Sequence, residues 1–260
     1  MQTAKELFGS SLISPRAEPP APKDMTDSWI AERISGGSFV DIGGVGVDSI
    51  NERATFARAR GASPCIMADI RPRDWHTWET FRRKVADAGV EGIVEVDCVD
   101  VRKRESLSRV GICDIVHCTG VLYHLQSPAE ALWNLRTITG RFLITNTITF
   151  PARVENEFGE VTLPDHGVLF TAALSERDRR VLNKYYGDKF GWTIDRVAPD
   201  PDIVVERPKW IEDGELTCLP VWYIYSEHAF ASLLRTCRLK VIDQWVWREH
   251  SHQVLCEVIK

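Results

Sequence analysis

A chain of 260 residues, 44% hydrophobic and 27% charged, has the make-up of a globular enzyme with room for a large core and a cap. Its formal net charge of −5 argues against a surface built to grip a phosphate backbone, and no apolar run reaches the length of a membrane span. Seven cysteines, an odd count without a C-x-x-C pair, argue against a disulfide framework or a zinc site; with no signal-peptide pattern, a reducing cytoplasm is expected.

The first segment carries Pro15, Pro19, Pro20 and Pro22, a density that forbids a helix and predicts an extended arm over residues 1–25. The run from Asp27 to Ile34 reads as a short capped helix stopped by Gly36 and Gly37. Apolar strands and amphipathic helices then alternate, which predicts an α/β fold with a parallel sheet covered on both faces. Strands are expected at 38–42, 64–68, 92–96, 114–118 and 141–147, and helices at 48–60, 75–88 and 128–135. The basic clusters at Arg82-Arg83-Lys84, Arg102-Lys103-Arg104 and Arg177 to Arg180 read as solvated helix faces. Residues 148–220 break the rhythm with prolines, acids and aromatics, and only 175–186 predicts a helix. An interruption of this length is usually functional, and a lid over the substrate is expected. A helix at 226–237 and two strands at 239–247 and 253–259 close the chain. The expected organisation is an arm (1–25), a core (26–150), an insert (151–220) and a C-terminal helix and hairpin (221–260) that complete the core.

Phe39-Val40-Asp41-Ile42-Gly43-Gly44-Val45-Gly46 is a strand followed by a glycine turn, with Val47-Asp48-Ser49 opening the next helix. Glycines let backbone approach a ligand closely, and the helix start offers free N–H groups to an anion. The turn is one residue short of a dinucleotide fingerprint, so by itself it fits either a dinucleotide or another nucleoside cofactor. Asp69, at the end of the second strand, suits a ribose diol, with Ile70 beside it for an adenine; the alternative is a turn-forming acid. Asp97-Cys98 ends the third strand, with Asp100 as a second candidate acid.

The fourth strand leads into His117-Cys118-Thr119-Gly120-Val121-Leu122-Tyr123-His124, followed by Pro128 and a helix. This run, with the glycine turn and the strand-end acids, resembles class I S-adenosylmethionine (SAM)-dependent methyltransferases. Within them it looks most like the branch of tRNA wobble-uridine carboxymethyltransferases. The resemblance implies a Rossmann-like, mainly parallel seven-stranded sheet with an antiparallel last strand and a cap after strand five. It also implies SAM as cofactor, S-adenosylhomocysteine as product, and no metal. Asp41 would then lie near the methionine amino group, with Gly43, Gly44 and Gly46 in the turn; Val45 stands where the family usually has its second glycine. Asp69 and Ile70 would meet ribose and adenine, and Asp97 and Cys98 the adenine. His117, Cys118, Thr119 and Gly120 would line the methionine end.

His124 follows the fourth strand closely enough to face a pocket mouth and is the first candidate base, although a helix-capping role explains it equally. Tyr123 is a candidate to orient substrate, and His166, in Asp165-His166-Gly167 of the insert, a weaker one. Tyr185, Trp222, Tyr223 and Tyr225 are candidates for a substrate wall; packing within a cap is their plain alternative. His250 and His252 read as a solvated hairpin turn rather than a metal site. The expected activity is methyl transfer to a hydroxyl or amine of a small molecule, with nucleic acid and membrane disfavoured and the oligomeric state open. Its rivals are an NAD(P)-dependent oxidoreductase, a tRNA-modifying (carboxy)methyltransferase and a non-catalytic Rossmann-like binding module.

Overall fold

Strands buried on both faces need continuous apolar runs rather than alternation. β1 (Phe39–Ile42) and β2 (Cys65–Ala68) are such runs and are buried at every position. The computed structural model describes residues 1–3, 5–6, 20–46, 51–191, 211–212, 215–216 and 221–259. Most of the proline-rich arm, the helix start at Asp48–Ser49, residues 192–210 and Cys218 lie outside the described residues.

The helices around the first five strands are α1 (Met25–Arg33), α2 (Ala54–Ala59), α3 (His76–Asp87), α4 (Arg104–Ser108) and α5 (Pro128–Ile138). β3 (Ile93–Val96), β4 (Cys113–Cys118) and β5 (Thr139–Ile148) complete the parallel part of the sheet. The insert follows, with β6 (Arg153–Asn156), β7 (Gly159–Thr162), β8 (Val168–Phe170), α6 (Glu176–Phe190), and the short strands β9 (Ile211–Glu212) and β10 (Glu215–Leu216). β11 (Tyr223–Tyr225), α7 (Glu227–Thr236), β12 (Leu239–Trp247) and β13 (Ser251–Val258) close the chain.

The main sheet has the order β12-β13-β5-β4-β1-β2-β3. β13 runs antiparallel to both β5 and β12, while β1 to β5 pair in parallel. This is the expected fold class. On one face α1, α2 and α3 bury Trp29, Ile30, Ala57, Trp78 and Phe81 against Phe39, Ile115, Ile144 and Leu255. On the other, α5 and α7 pack Leu132, Leu135, Phe230 and Leu234 against Val40, Val116, Leu143 and Val254. Strand order reverses between β1 and β4, and the crevice beyond that point is where open α/β sheets bind ligands.

The insert holds more strand than its sequence predicts. β6 and β7 form a hairpin, and β8 pairs with β11 from beyond the insert. Its core gathers Val154, Val161, Val181, Leu182, Tyr185 and Tyr186. Ser175 caps α6 through the Asp178 N–H at 3.1 Å, and Gly191 ends it at φ 74°. The Tyr186 hydroxyl donates to the Thr149 carbonyl at 2.9 Å and ties this cap to the end of β5. Tyr186→Phe is expected to cost about 1 kcal/mol of unfolding free energy, the net worth of one buried hydrogen bond, read from urea unfolding curves.

The basic cluster Arg102-Lys103-Arg104 is exposed at the start of the short helix α4, as expected of a solvated face. One further reading changes. His252 is not in a solvated turn: it is the second residue of β13 and fully buried. The turn comprises Arg248, Glu249 and His250, and the His250 ring packs on Phe190 at 4.0 Å. The described cysteines are all unpaired, and Cys98 alone among them is exposed.

Candidate active site

Asp41, next to last in β1, is fully buried and organises the site from beneath. Its Oδ2 accepts the N–H groups of Arg53 at 2.5 Å and Ala54 at 3.2 Å, capping α2, which has no capping side chain of its own. Its Oδ1 lies 2.7 Å from His117 Nδ1 on the adjacent β4. A carboxylate can only accept, so Nδ1 carries the shared proton. In the neutral ring Nε2 is then an acceptor, and the Thr119 hydroxyl stands 3.2 Å from it. Both oxygens of Asp41 are thus engaged within the protein, under the turn rather than open beside it.

The glycine turn lies directly on this carboxylate. A Cβ at Gly44 would come within 2.8 Å of Asp41 Oδ2, and one at Gly43, at φ +81°, within 2.6 Å of Val121 Cγ2. Glycine is demanded here by close approach to the protein's own groups as well as by the turn. Gly120, at φ +76°, donates its N–H to Asn146 Oδ1 at 2.7 Å.

Asp69 follows β2 and is fully buried. Its Oδ2 accepts the Val45 N–H at 3.2 Å, so the ribose candidate reaches into the glycine turn. Arg71, which the sequence reading passed over, folds back across it. The guanidinium lies 3.2 Å from Asp69 Oδ1, donates to the Val45 carbonyl at 2.5 Å, and rests over the Trp75 ring. Burial raises the Asp69 carboxyl above its ordinary range, and Arg71 works against that rise. Asp97 is half-buried after β3 and accepts the Arg73 N–H at 3.3 Å, with Arg109 3.7 Å away. Ile70 is half-buried, and Cys98 is exposed at φ 53°.

The structure therefore brings together Asp41, Gly43, Gly44, Gly46, Asp69, His117, Thr119 and Gly120, with Ile70, Asp97 and Cys98 at the neighbouring strand ends. Cys118 turns the other way, into the core beneath α5. Tyr123 and His124 form a 3-10 turn with rings 4.3 Å apart. Burial pushes the Tyr123 hydroxyl up to about 12, so it stays protonated at neutral pH. The Trp222 backbone N–H donates to the Tyr123 carbonyl at 2.8 Å, which fastens the segment leading into β11 to this turn. Phe170 stacks on Trp222 and Tyr223, and Tyr225 lies against Phe230. Tyr185 belongs to the cap's own core, under Lys189. His166 is exposed in a turn that Ser226 holds through the Asp165 carbonyl. Among the described residues, no group of three His, Cys, Asp or Glu side chains forms a metal cluster, and no helix is long and apolar enough to cross a membrane.

Solved structures with a similar fold include methyltransferases. Magnesium protoporphyrin IX methyltransferase from Synechocystis PCC 6803, with SAH bound, matches at a TM-score of 0.51 and 15% identity, over 90% of this chain and 80% of that one. The N-terminal domain of EvdMO1, with SAH bound, matches at 0.51 and 16%, over 92% and 82%. The chain has the class I methyltransferase fold. An O-methyltransferase family protein from Burkholderia thailandensis matches at 0.50 and 10%, over 90% of this chain and 55% of that one. No family model matches the sequence. No curated protein matches it either.

Proposed function

We propose that this chain is a SAM-dependent methyltransferase acting on a hydroxyl or amine of a small molecule in the cytoplasm. One observation carries the reading: Asp69, the glycine turn and the His117–Gly120 strand end meet at the reversal of strand order in a sheet whose antiparallel β13 lies beside β5. The dinucleotide sheet is built from two parallel halves in the order 3-2-1-4-5-6, and β13 breaks that order, which counts against an oxidoreductase.

The donor set fits the cofactor. A carboxylate after β2 and another after β3 are acceptors suited to a ribose diol and an adenine amino group. The strand end at Thr119 and Gly120 suits the amino-acid end. Arg71 must swing off Asp69 for the diol to reach it. When bound, SAM supplies a methyl group on a sulfonium as the electrophile. The chain's own part is orientation and exclusion of water. Asp41 fixes the His117 tautomer, and His117 in turn orients the Thr119 hydroxyl. Tyr123 seals the strand end in its neutral form, and His124 beside it is the proposed acceptor of a proton from a hydroxyl substrate. The finer likeness to the tRNA wobble-uridine branch rests on the residues from Gly120 to His124, the proline that follows them and the strand Phe142-Leu143-Ile144-Thr145.

Calorimetric titration is expected to give micromolar binding of S-adenosylhomocysteine, and Asp69→Ala to weaken it at least about tenfold, roughly one to two lost charge-assisted hydrogen bonds. Unchanged affinity in that variant removes Asp69 from the ribose role. Quenching of NADH fluorescence on titration, with no binding of the homocysteine product, overturns the reading.

A further inference from the structure

Strand register sets one polar row across the top of the sheet on the α1 side. Trp245 pairs with Gln253, and Gln253 with Asn146. Thr145 pairs with Cys118, which brings Thr119 next to Asn146. The Ser251 hydroxyl accepts from both Asn146 Nδ2 and Gln253 Nε2 at 2.8 Å, so the row is bonded along its length. Above it opens a cleft of about 800 Å³, within the roughly 300–1,000 Å³ of small-molecule sites. Its floor includes His117, Thr119 and Gln253, and its walls include Phe56, Trp245 and Trp247.

Three properties of this cleft select a ligand. Much of its charged flank is paired internally: Arg53 lies 2.8 Å from both Asp24 and Asp27, and Lys84 lies 2.7 Å from Glu52, while Lys23 and Asp87 also line the cleft. The two indoles and the phenyl ring offer flat, polarisable surface for stacking. The Trp245 Nε1–H is buried with no hydrogen-bond partner, and such orphaned donors are rare in folded proteins. A sugar would bury several hydroxyls against these rings, whereas a flat ring with an acceptor matches both the surface and the Trp245 donor; the Thr55 hydroxyl is a second buried, unpartnered group of the lining.

We infer that this cleft binds the methyl acceptor, and that the acceptor is a planar aromatic or heteroaromatic molecule whose carbonyl or ring nitrogen receives the Trp245 indole N–H. The inference rests on the methyltransferase reading for the ligand's role, though not for its binding. It moves the substrate wall from the insert to the terminal hairpin. Tyr185 is spent inside the cap, while Trp245 and Trp247 stand over the row that ends at Thr119 and Gly120.

The test uses the full chain labelled with 15N at its nine tryptophan indoles. The Trp245 resonance is assigned by its loss in Trp245→Phe, which keeps a ring at the wall and removes the donor. The probe is 4-quinolone, planar with a carbonyl, and cyclohexanone is the aliphatic control; both are titrated with S-adenosylhomocysteine present. The Trp245 signal is expected to move downfield in a saturable way with 4-quinolone, and Trp245→Phe to weaken binding about five- to tenfold. The Trp78 indole, already bonded to the Arg71 carbonyl at 3.1 Å, is expected to stay in place. Quinolone binding that leaves the Trp245 signal unmoved overturns the inference, as does an equal response to cyclohexanone. Binding of S-adenosylhomocysteine without any response to quinolone overturns the pocket and leaves the methyltransferase reading standing. A quinolone response without S-adenosylhomocysteine binding does the reverse.

Discussion

Replacing Asp41 with alanine is expected to cost the fold about 3–5 kcal/mol, read as lost unfolding free energy in urea at pH 7. Three donors converge on this carboxylate: the N–H groups of Arg53 and Ala54 and the Nδ1–H of His117. All lie where water does not reach the acceptor, since Asp41 is 0% exposed. Each donor stranded by its loss carries a desolvation penalty of about 1–3 kcal/mol. Relaxation of the helix start returns part of the sum. Asp41→Asn keeps the shape and one acceptor oxygen, so about 1–3 kcal/mol is expected there. A loss under 1 kcal/mol for the alanine variant would mean that the network is not what holds the turn. The consequence reaches beyond stability. One side chain joins the end of β1, the start of α2 and the strand end at His117, so loosening it moves the glycine turn against Thr119 and Gly120.

The parallel core was legible because both-face burial writes itself as unbroken apolar runs, as in Phe39–Ile42 and Cys65–Ala68. The insert was not. β6 and β7 bury one residue each, Val154 and Val161, and four-residue strands edged with charge give no period to read. The pairing of β8 with β11 joins residues more than fifty positions apart, and no local pattern carries that information. Strand-end acids could be placed, but not their partners. Nothing in the order Asp69-Ile70-Arg71 says that the arginine turns back onto the acid and the Val45 carbonyl. Aromatic density, as at Tyr185, suggests a pocket wall but does not say which way a ring faces. Tyr185 and Tyr186 lie on the face of α6 that its buried aliphatic residues share, Val181 and Leu182, and that spacing was the available signal. The hairpin tryptophans stand two positions apart on β12, and the strand's period of two places Trp245 and Trp247 on one face. That clue needed the neighbouring strand to show what the face looks onto.

Acid is expected to remove about 3 kcal/mol of stability between pH 6.5 and 4 through His252 alone. Burial lowers this imidazole from 6.5 to about 4. The geometry explains why a second proton is refused. Gln244 Oε1, 3.2 Å away, is an acceptor for Nε2–H, and Nδ1 is buried with no partner to receive from a new N–H. The Phe230 ring lies 6.0 Å off, edge to face. The sign follows from proton counting. Below pH 6.5 the unfolded chain binds a proton at this site and the folded chain does not, so stability rises with pH across the window. The contribution is whole above 6.5 and is lost as pH falls toward 4. Asp69, whose carboxyl burial raises, titrates with the opposite sign, so a single wild-type profile mixes the two. A difference profile separates them. Unfolding free energies of wild type and His252→Phe, taken from urea curves at pH 7, 5.5 and 4.5, are expected to converge as pH falls, the wild type losing more. Parallel profiles would sink the assignment. Loosening β13 in acid also bears on function: Ser251 and Gln253 flank His252 on the strand and carry the polar row beneath the cleft. Ligand affinity in that cleft is therefore expected to fall in the same pH window, and to fall less in His252→Phe.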